Sequence, residues 1–339
     1  MKIETSRGKA KSDELEEAVQ HLLRERGQKA LKTAKEMMLE GIKNVSSHEA
    51  HEAIKYFINE YWNDLASPTL VSLGCESVGG DIDDTIPLAL PMILMSGGID
   101  VHDDIIDKSK MKYGRLTVFG KYGDELALLV GDALLLKGFT LLCNATRFFS
   151  QKKFLDIVKI VNNMFFELGD AETLERKLRK NLDTTPKEYI LNMEKKAADI
   201  EGLLRIGAII GDGSTEEIDA IGCYGRIFGL LSILRDDWID MLDYQEAIHR
   251  LQFENLPLPT IYTLGDVRAR LEIERIFEKE EITKQDAERL FQITDKFGGF
   301  KQTTQLMLNL ARKAKEQLMK ANINNNNLLL LLEFIANID

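Results

Sequence analysis

"ELALLVGDALLLKGFTLLC", residues 125–143, is the stretch that decides the fold class. Its apolar residues neither alternate nor keep to one stripe. They wrap most of the circumference of a helix, and such a helix belongs in the centre of a large bundle. The segments around it also read at helical period: "ELEEAVQHLLRERGQKALKTAKEMMLEGI" before it, and "TPKEYILNMEKKAADIEGLLRIGAIIG" and "TEEIDAIGCYGRIFGLLSILRDDWIDML" after it. Ser47 stands as a cap before "HEAHEAIKYFINEYW", and the pair Gly79–Gly80 closes "SPTLVSLGCESV". No alternating, β-branched run is long enough to make a strand, and six prolines in 339 residues leave long helices uninterrupted. The expectation is one all-α domain spanning residues 1–339, a single large bundle of roughly a dozen helices around a central cavity.

A net charge of -11 argues against a nucleic-acid partner, which needs basic surface to neutralise phosphates. The three cysteines, Cys75, Cys143 and Cys223, are widely spaced and fit neither a zinc site nor a disulfide pair, so a reducing, cytoplasmic setting is expected. The N-terminal "MKIETSRGKAKSDELEEAV" carries no apolar signal core. The longest uncharged run, residues 85–99, is interrupted by two prolines and too short to span a bilayer, so no transmembrane segment is expected.

At the end of that run comes "VHDDIIDKSK", residues 101–110, with Asp103, Asp104 and Asp107 inside five positions. Far along the chain "SILRDDWID", residues 232–240, repeats the spacing with Asp236, Asp237 and Asp240. On a helix the outer two aspartates of each set stack on one face, and the middle one flanks it. One such cluster is ordinarily a solvated helix face. Two copies, each preceded by apolar helix, are harder to dismiss: if both enter one cavity, six carboxylates cannot stay ionised without cations. Oxygen-only ligands select hard ions, and Mg²⁺ binds through carboxylates together with substrate phosphates.

The chain resembles the trans-isoprenyl diphosphate synthase, or polyprenyl synthetase, family of the class I terpenoid synthase fold. The resemblance is carried by "HDDIID" (102–107), "GRLTVFGKYGDELALLVGDALL" (114–135) and "GRIFGLLSILRDDWID" (225–240), and more weakly by residues 68–81, 194–208 and 256–264. It implies a Mg²⁺-dependent prenyltransferase that ionises an allylic isoprenyl diphosphate on two or three ions. Asp103, Asp107, Asp236 and Asp240 would be metal ligands, and Asp104 and Asp237 ligands or their supports. Lys195, or Lys196 one register on, would contact the allylic diphosphate. Lys112 and Tyr113 stand where the family has two arginines, with Arg115 as a neighbouring cation. The resemblance further implies a homodimer, with isopentenyl diphosphate as the presumptive acceptor.

Departures from the family pattern concentrate at that acceptor. A Gly-Lys-x-x-Arg-Pro stretch reads "NDLASP" (63–68), with Asp64, Leu65 and Ser67 at the expected basic positions. Ser96 replaces a histidine, Ser232–Ile233 a Phe-Gln pair, and Glu254–Asn255 a Gly-Lys pair. Asp100 stands where an apolar residue is usual, either as an extra ligand or as a polar group of the pocket. Gly97, Gly98 and Ile99 carry no bulky aromatic, which favours a geranylgeranyl-class or longer product. Three activities therefore stay open. They are elongation with isopentenyl diphosphate, ionisation without it (terpene synthase-like, diphosphate-releasing, or with another acceptor), and service as the non-catalytic subunit of a heteromeric synthase.

Overall fold

The computed structural model describes residues 6–112 and 114–337. Sixteen α-helices lie within them. In order they are α1 (Ser6–Gly41), α2 (His48–Tyr56), α3 (Ala66–Ser77), α4 (Ile86–Ile106), α5 (Val118–Tyr122) and α6 (Asp124–Asn144). Next come α7 (Gln151–Leu178), α8 (Pro186–Lys196), α9 (Ala198–Ile210), α10 (Thr215–Asp240), α11 (Tyr244–Phe253) and α12 (Leu258–Thr263). The chain closes with α13 (Val267–Phe277), α14 (Lys284–Lys296), α15 (Gly299–Lys320) and α16 (Asn326–Ala336). The one sheet among the described residues is an antiparallel hairpin of β1 (Met111–Lys112) and β2 (Arg115–Leu116). The helices outnumber the expected dozen because connectors such as α5 and α12 are too short to carry a period.

The fold is all-α, and its contacts divide the chain into two compact units. The N-terminal unit holds Glu17–Val158 and Leu203–Ile218; the C-terminal unit holds the residues up to Glu16, Lys159–Gly202 and those from Asp219 onward.

At the centre of the N-terminal unit α4 packs on α6. Gly131 and Gly138, seven apart and so on one face of α6, seat His102 and Met95, also seven apart, on α4. A Cβ on Gly131 would meet the His102 ring at 2.4 Å, and one on Gly138 would meet Met95 at 2.6 Å, so only glycine permits this approach. On α4, Leu88, Ile93, Leu94 and Val101 are fully buried, each stabilising by about 1.5–3 kcal/mol. Over α4 close Phe57, Ile58 and Trp62, from the end of a short π-helix at Phe57–Tyr61. Gly79, at φ +81, stops α3 as its sequence suggested.

The expectation that α6 is buried all round is corrected. Leu128, Leu129, Leu136 and Phe139 are exposed, with Leu136 at 69%, so one apolar face of α6 is left open within its own chain. The spans Ile82–Ile106 and Asp124–Phe148 are long and apolar enough to cross a membrane by composition. More than half of the first is buried in protein, as a core helix is.

In the C-terminal unit α10 is the central element. Tyr224 stacks on Phe228 and donates its hydroxyl to the Leu328 carbonyl at 2.6 Å, while Arg235 donates to the carbonyls of Phe334 and Asn337 at the end of α16. Arg235 thereby adds donors at the carbonyl end of α16 and ties α10 to the C-terminal helix.

Candidate active site

In the N-terminal unit the first motif occupies the last turn of α4. Successive residues turn by about 100° on a helix, so the middle aspartate cannot share the face of the outer two. Asp104 turns inward with no exposed surface and meets the Lys112 ammonium at 2.7 Å. Asp103 stays about one-third exposed, 3.6 Å from the same ammonium. Asp107 ends the helix and is 7% exposed. Burial pushes Asp104 up to about 6 even though Lys112 pulls it down. Burial opposes the charge on Lys112, but Asp103 and Asp104 more than offset it and raise its pKa. The lysine expected to touch phosphate is thus the resident counter-ion of the motif. Tyr113 lies outside the described residues. Arg115, exposed on β2, donates to the Glu60 carbonyl at 2.6 Å and fixes the hairpin to the end of the π-helix.

The second motif, in the C-terminal unit, repeats this division. Asp237 is wholly buried and held by three donors. It accepts from the Tyr189 hydroxyl at 2.7 Å, from the Leu258 N–H at 3.1 Å and from Arg250. Asp236 is exposed and Asp240 half-buried, the latter 3.0 Å from Arg250. Burial raises both to about 6, with Arg250 working against it. Arg250 also pairs with Glu254 at 3.3 Å, which His249 approaches to 3.0 Å. Burial alone would raise Glu254; the His249 and Arg250 contacts overcome it and hold that carboxyl near 2. Asp237 is therefore a brace that joins α8, α10, α11 and the start of α12, with three hydrogen bonds on a carboxylate that is itself wholly buried.

Lys195 and Lys196 close α8, whose start is fixed by Pro186 and a capping box between Thr185 and Glu188. Lys195 makes an exposed pair with Asp170 at 2.7 Å. Lys196 is more enclosed and sits between Glu172, at 2.9 Å, and Glu175 on α7. Of the two, Lys196 is the one held among acidic groups inside the fold.

Asp64 is not a surface residue. Its Oδ1 accepts from the Ser67 N–H at 2.9 Å and so caps the start of α3. Burial raises its pKa despite contacts from Ser67, Ser96 and Ala66. Asp100, on α4, keeps water-accessible surface yet is enclosed by protein at longer range. Burial, then the nearby Asp64, push it up to about 8, with Lys112 pulling the other way. Gly97 and Gly98 carry no side chain, yet the space beside them is filled: the Trp62 indole lies over Gly97, 2.8 Å from the position of a Cβ, and Leu135 lies against Gly98.

Donor chemistry fits a divalent ion at Asp103 and Asp107 in the one unit, and at Asp236 and Asp240 in the other, since each pair offers carboxylate oxygens and the desolvated acids among them call for a cation. It favours none at Asp237, whose carboxylate is wholly buried and already paired with Arg250. Sequence reasoning missed Arg250, Tyr189 and Trp62. Arg250 stands four before Glu254, a helical pair spacing that was legible; Tyr189 and Trp62 had no local signal.

The family model for polyprenyl synthetase matches residues 66–294. The geranylgeranyl diphosphate synthase of Methanosarcina mazei is 26% identical over 302 residues, covering 83% of this chain and 91% of that protein. A short chain isoprenyl diphosphate synthase of Methanothermobacter thermautotrophicus is 26% identical over 301 residues, covering 84% and 88%. Among solved structures, geranylgeranyl pyrophosphate synthetase from Pyrococcus horikoshii superposes with a TM-score of 0.81 over 94% of this chain and 99% of that one, at 24% identity. A polyprenyl synthase from Caulobacter crescentus, complexed with calcium and isoprenyl diphosphate, gives 0.76 over 94% and 96%, at 20% identity. At these identities the structural likeness speaks for the all-α isoprenoid synthase fold.

Proposed function

The chain belongs to the polyprenyl synthetase family and is a prenyltransferase of the geranylgeranyl and polyprenyl diphosphate synthase type; from that premise we propose that it ionises an allylic isoprenyl diphosphate with Mg²⁺ and transfers the prenyl group. The proposal treats residues 1–339 as one functional domain in which both aspartate motifs serve the same diphosphate. The observation that carries it is the shared division of the two motifs. In each, the middle aspartate is locked to a basic residue, and the first, Asp103 or Asp236, is left with its carboxylate accessible.

Asp103, Asp107, Asp236 and Asp240 would hold the ions, two or three in number. Bound there, Mg²⁺ supplies the charge neutralisation that lets an allylic carbon–oxygen bond break with both electrons leaving on the diphosphate. Lys112, as counter-ion of the first motif, and Arg115 beside it would lend positive charge to the leaving diphosphate from that motif, and Lys195 and Lys196 from the end of α8. Asp104 and Asp237 orient the helices that carry the ligands. The family's usual acceptor is isopentenyl diphosphate, and the relatives' names support a geranylgeranyl-class product. A second reading, in which the acceptor bears no diphosphate, is favoured by the loss of positive charge at Asp64, Leu65 and Ser67, where the family pattern has basic residues.

The test is incubation of the purified chain with Mg²⁺ and farnesyl or geranylgeranyl diphosphate, following diphosphate release and organic products. Release that stops on chelation and returns with Mg²⁺ is the expected result. Release that persists in excess chelator, or none in any mixture, sinks the reading.

We further propose a cytoplasmic homodimer that covers the open face of α6. An apolar patch of this kind is costly to leave in water. Leu136→Asp combined with Phe139→Asp is expected to halve the sedimenting mass from twice the 38.5 kDa chain mass to that of one chain. An unchanged mass in the double variant would place the interface elsewhere.

A further inference from the structure

His102 has no part in the chemistry described so far, yet it directly precedes Asp103, and its side chain is only 26% exposed. Its ring is seated on α6. Gly131 leaves the notch that admits the ring, and Nε2 lies 3.4 Å from the Leu128 carbonyl and 3.4 Å from Asp132 Oδ1. Both neighbours are oxygen acceptors, so Nε2 is the nitrogen that carries the hydrogen facing them. All of these residues belong to the N-terminal unit.

Asp132 occupies an uncommon place for a surface acid. It stands one turn after Leu128 and one turn before Leu136, inside the exposed apolar face of α6. A carboxylate in such a face costs free energy in any assembly that covers it, unless a hydrogen-bonding partner goes with it. His102 is the partner the structure supplies.

Successive residues of a helix turn by about 100°, so His102 and Asp104 lie about 200° apart, on opposite sides of the last turn of α4. One side is tied to α6 through His102 and Asp132. The other is tied to β1 through Asp104 and Lys112, at 2.7 Å. Asp103 sits between the two ties, and Asp107 follows it by one turn. Helix ends without lateral contacts fray, so these two ties fix the direction in which both carboxylates point. Groups that orient metal ligands commonly change metal affinity or activity by about 10–100-fold.

We propose that Asp132, acting through His102, is a positioning residue for Asp103 and Asp107. The inference rests on the assignment of those two carboxylates to the ions that hold the allylic diphosphate. Asp132 acts on the last turn of α4 and takes no part at the substrate.

The test follows binding of farnesyl thiolodiphosphate, an analogue that ionises slowly, by titration calorimetry on the full chain over a series of Mg²⁺ concentrations. Asp132→Asn keeps the shape of the side chain and removes the charge that holds the ring. The Mg²⁺ concentration for half-maximal binding is expected to rise about ten-fold. His102→Ala should do the same, and Asp132→Asn added to it should raise the requirement no further, because the two residues act as one unit. His102→Gln, whose amide nitrogen reaches close to the place of Nε2, should recover most of the wild-type affinity. Melting temperatures of Asp132→Asn and His102→Gln should stay within about 2 °C of wild type, which a general loss of packing would not allow. His102 lies on the inner side of α6, outside the open face, so its variants decide the matter if Asp132→Asn alters the sedimenting mass. The comparison of Asp132→Asn with His102→Gln decides it if His102→Ala fails to fold. An unchanged Mg²⁺ requirement in Asp132→Asn overturns the proposal, as do additive effects of the two substitutions. Wild-type binding that ignores Mg²⁺ defeats instead the metal assignment on which the proposal rests.

Discussion

Asp103→Asn is expected to lower Mg²⁺-dependent diphosphate release by about 10³-fold while leaving the fold intact. The size follows from transition-state arithmetic: about 4 kcal/mol of lost stabilisation for charge growing on the leaving group is three powers of ten. The side chain is about one-third exposed and braces nothing, its nearest cation being Lys112 at 3.6 Å. Asparagine matches its shape and removes one member of a repelling set. The melting temperature should therefore hold or rise slightly, as at other substitutions away from a core or network. Steady-state release and a thermal melt on the same preparation check both halves. Activity within ten-fold of wild type would remove Asp103 from the ligand set.

Asp237→Ala is expected to act in the opposite way, through stability. The substitution strips the partner from the buried Arg250 guanidinium, the Tyr189 hydroxyl and the Leu258 N–H together. Removing one member of a buried charge pair costs about 3–5 kcal/mol, because the other charge stays desolvated. Glu254 and Asp240 still face Arg250, which places the loss toward the lower end of that range. A fall of roughly 5–10 °C in melting temperature should accompany it. The neighbouring Asp236→Ala, at an exposed position, should move the melt little and diphosphate release strongly. Thermal melts of the two variants side by side settle the assignment, and equal melts would contradict the brace.

These two outcomes show how far the motif itself could be read. The repeated spacing of Asp103, Asp104 and Asp107 in Asp236, Asp237 and Asp240 carried the expectation of hard-metal chemistry, and helical geometry already set the middle member apart. Which side of the helix faces protein was not legible, since α4 and α10 are apolar over much of their circumference. Packing decided it, turning Asp104 toward Lys112 and Asp237 toward Arg250. The choice between Lys195 and Lys196 was undecidable for a similar reason. Adjacent lysines are equivalent in a sequence, and only the position of Glu172 and Glu175 on α7 separates them.

Gly97 marks the clearest limit. A missing side chain looks the same in a sequence whether it leaves a void or admits a neighbour, and here Trp62, thirty-five residues upstream, fills it. The apolar circumference of α6 likewise foretold a helix without saying that one face would stay open.

By itself the sequence determined the all-α class, the family and the two acidic motifs. Each of those is written in local periods and spacings that survive in an unfolded chain. Tertiary structure alone decided which carboxylates are buried against a basic residue, Asp104 and Asp237, and which keep accessible surface, Asp103 and Asp236. It also enclosed the Asp64 carboxyl and so raised its pKa, because desolvation and pairing arise only when distant segments exclude water from one another.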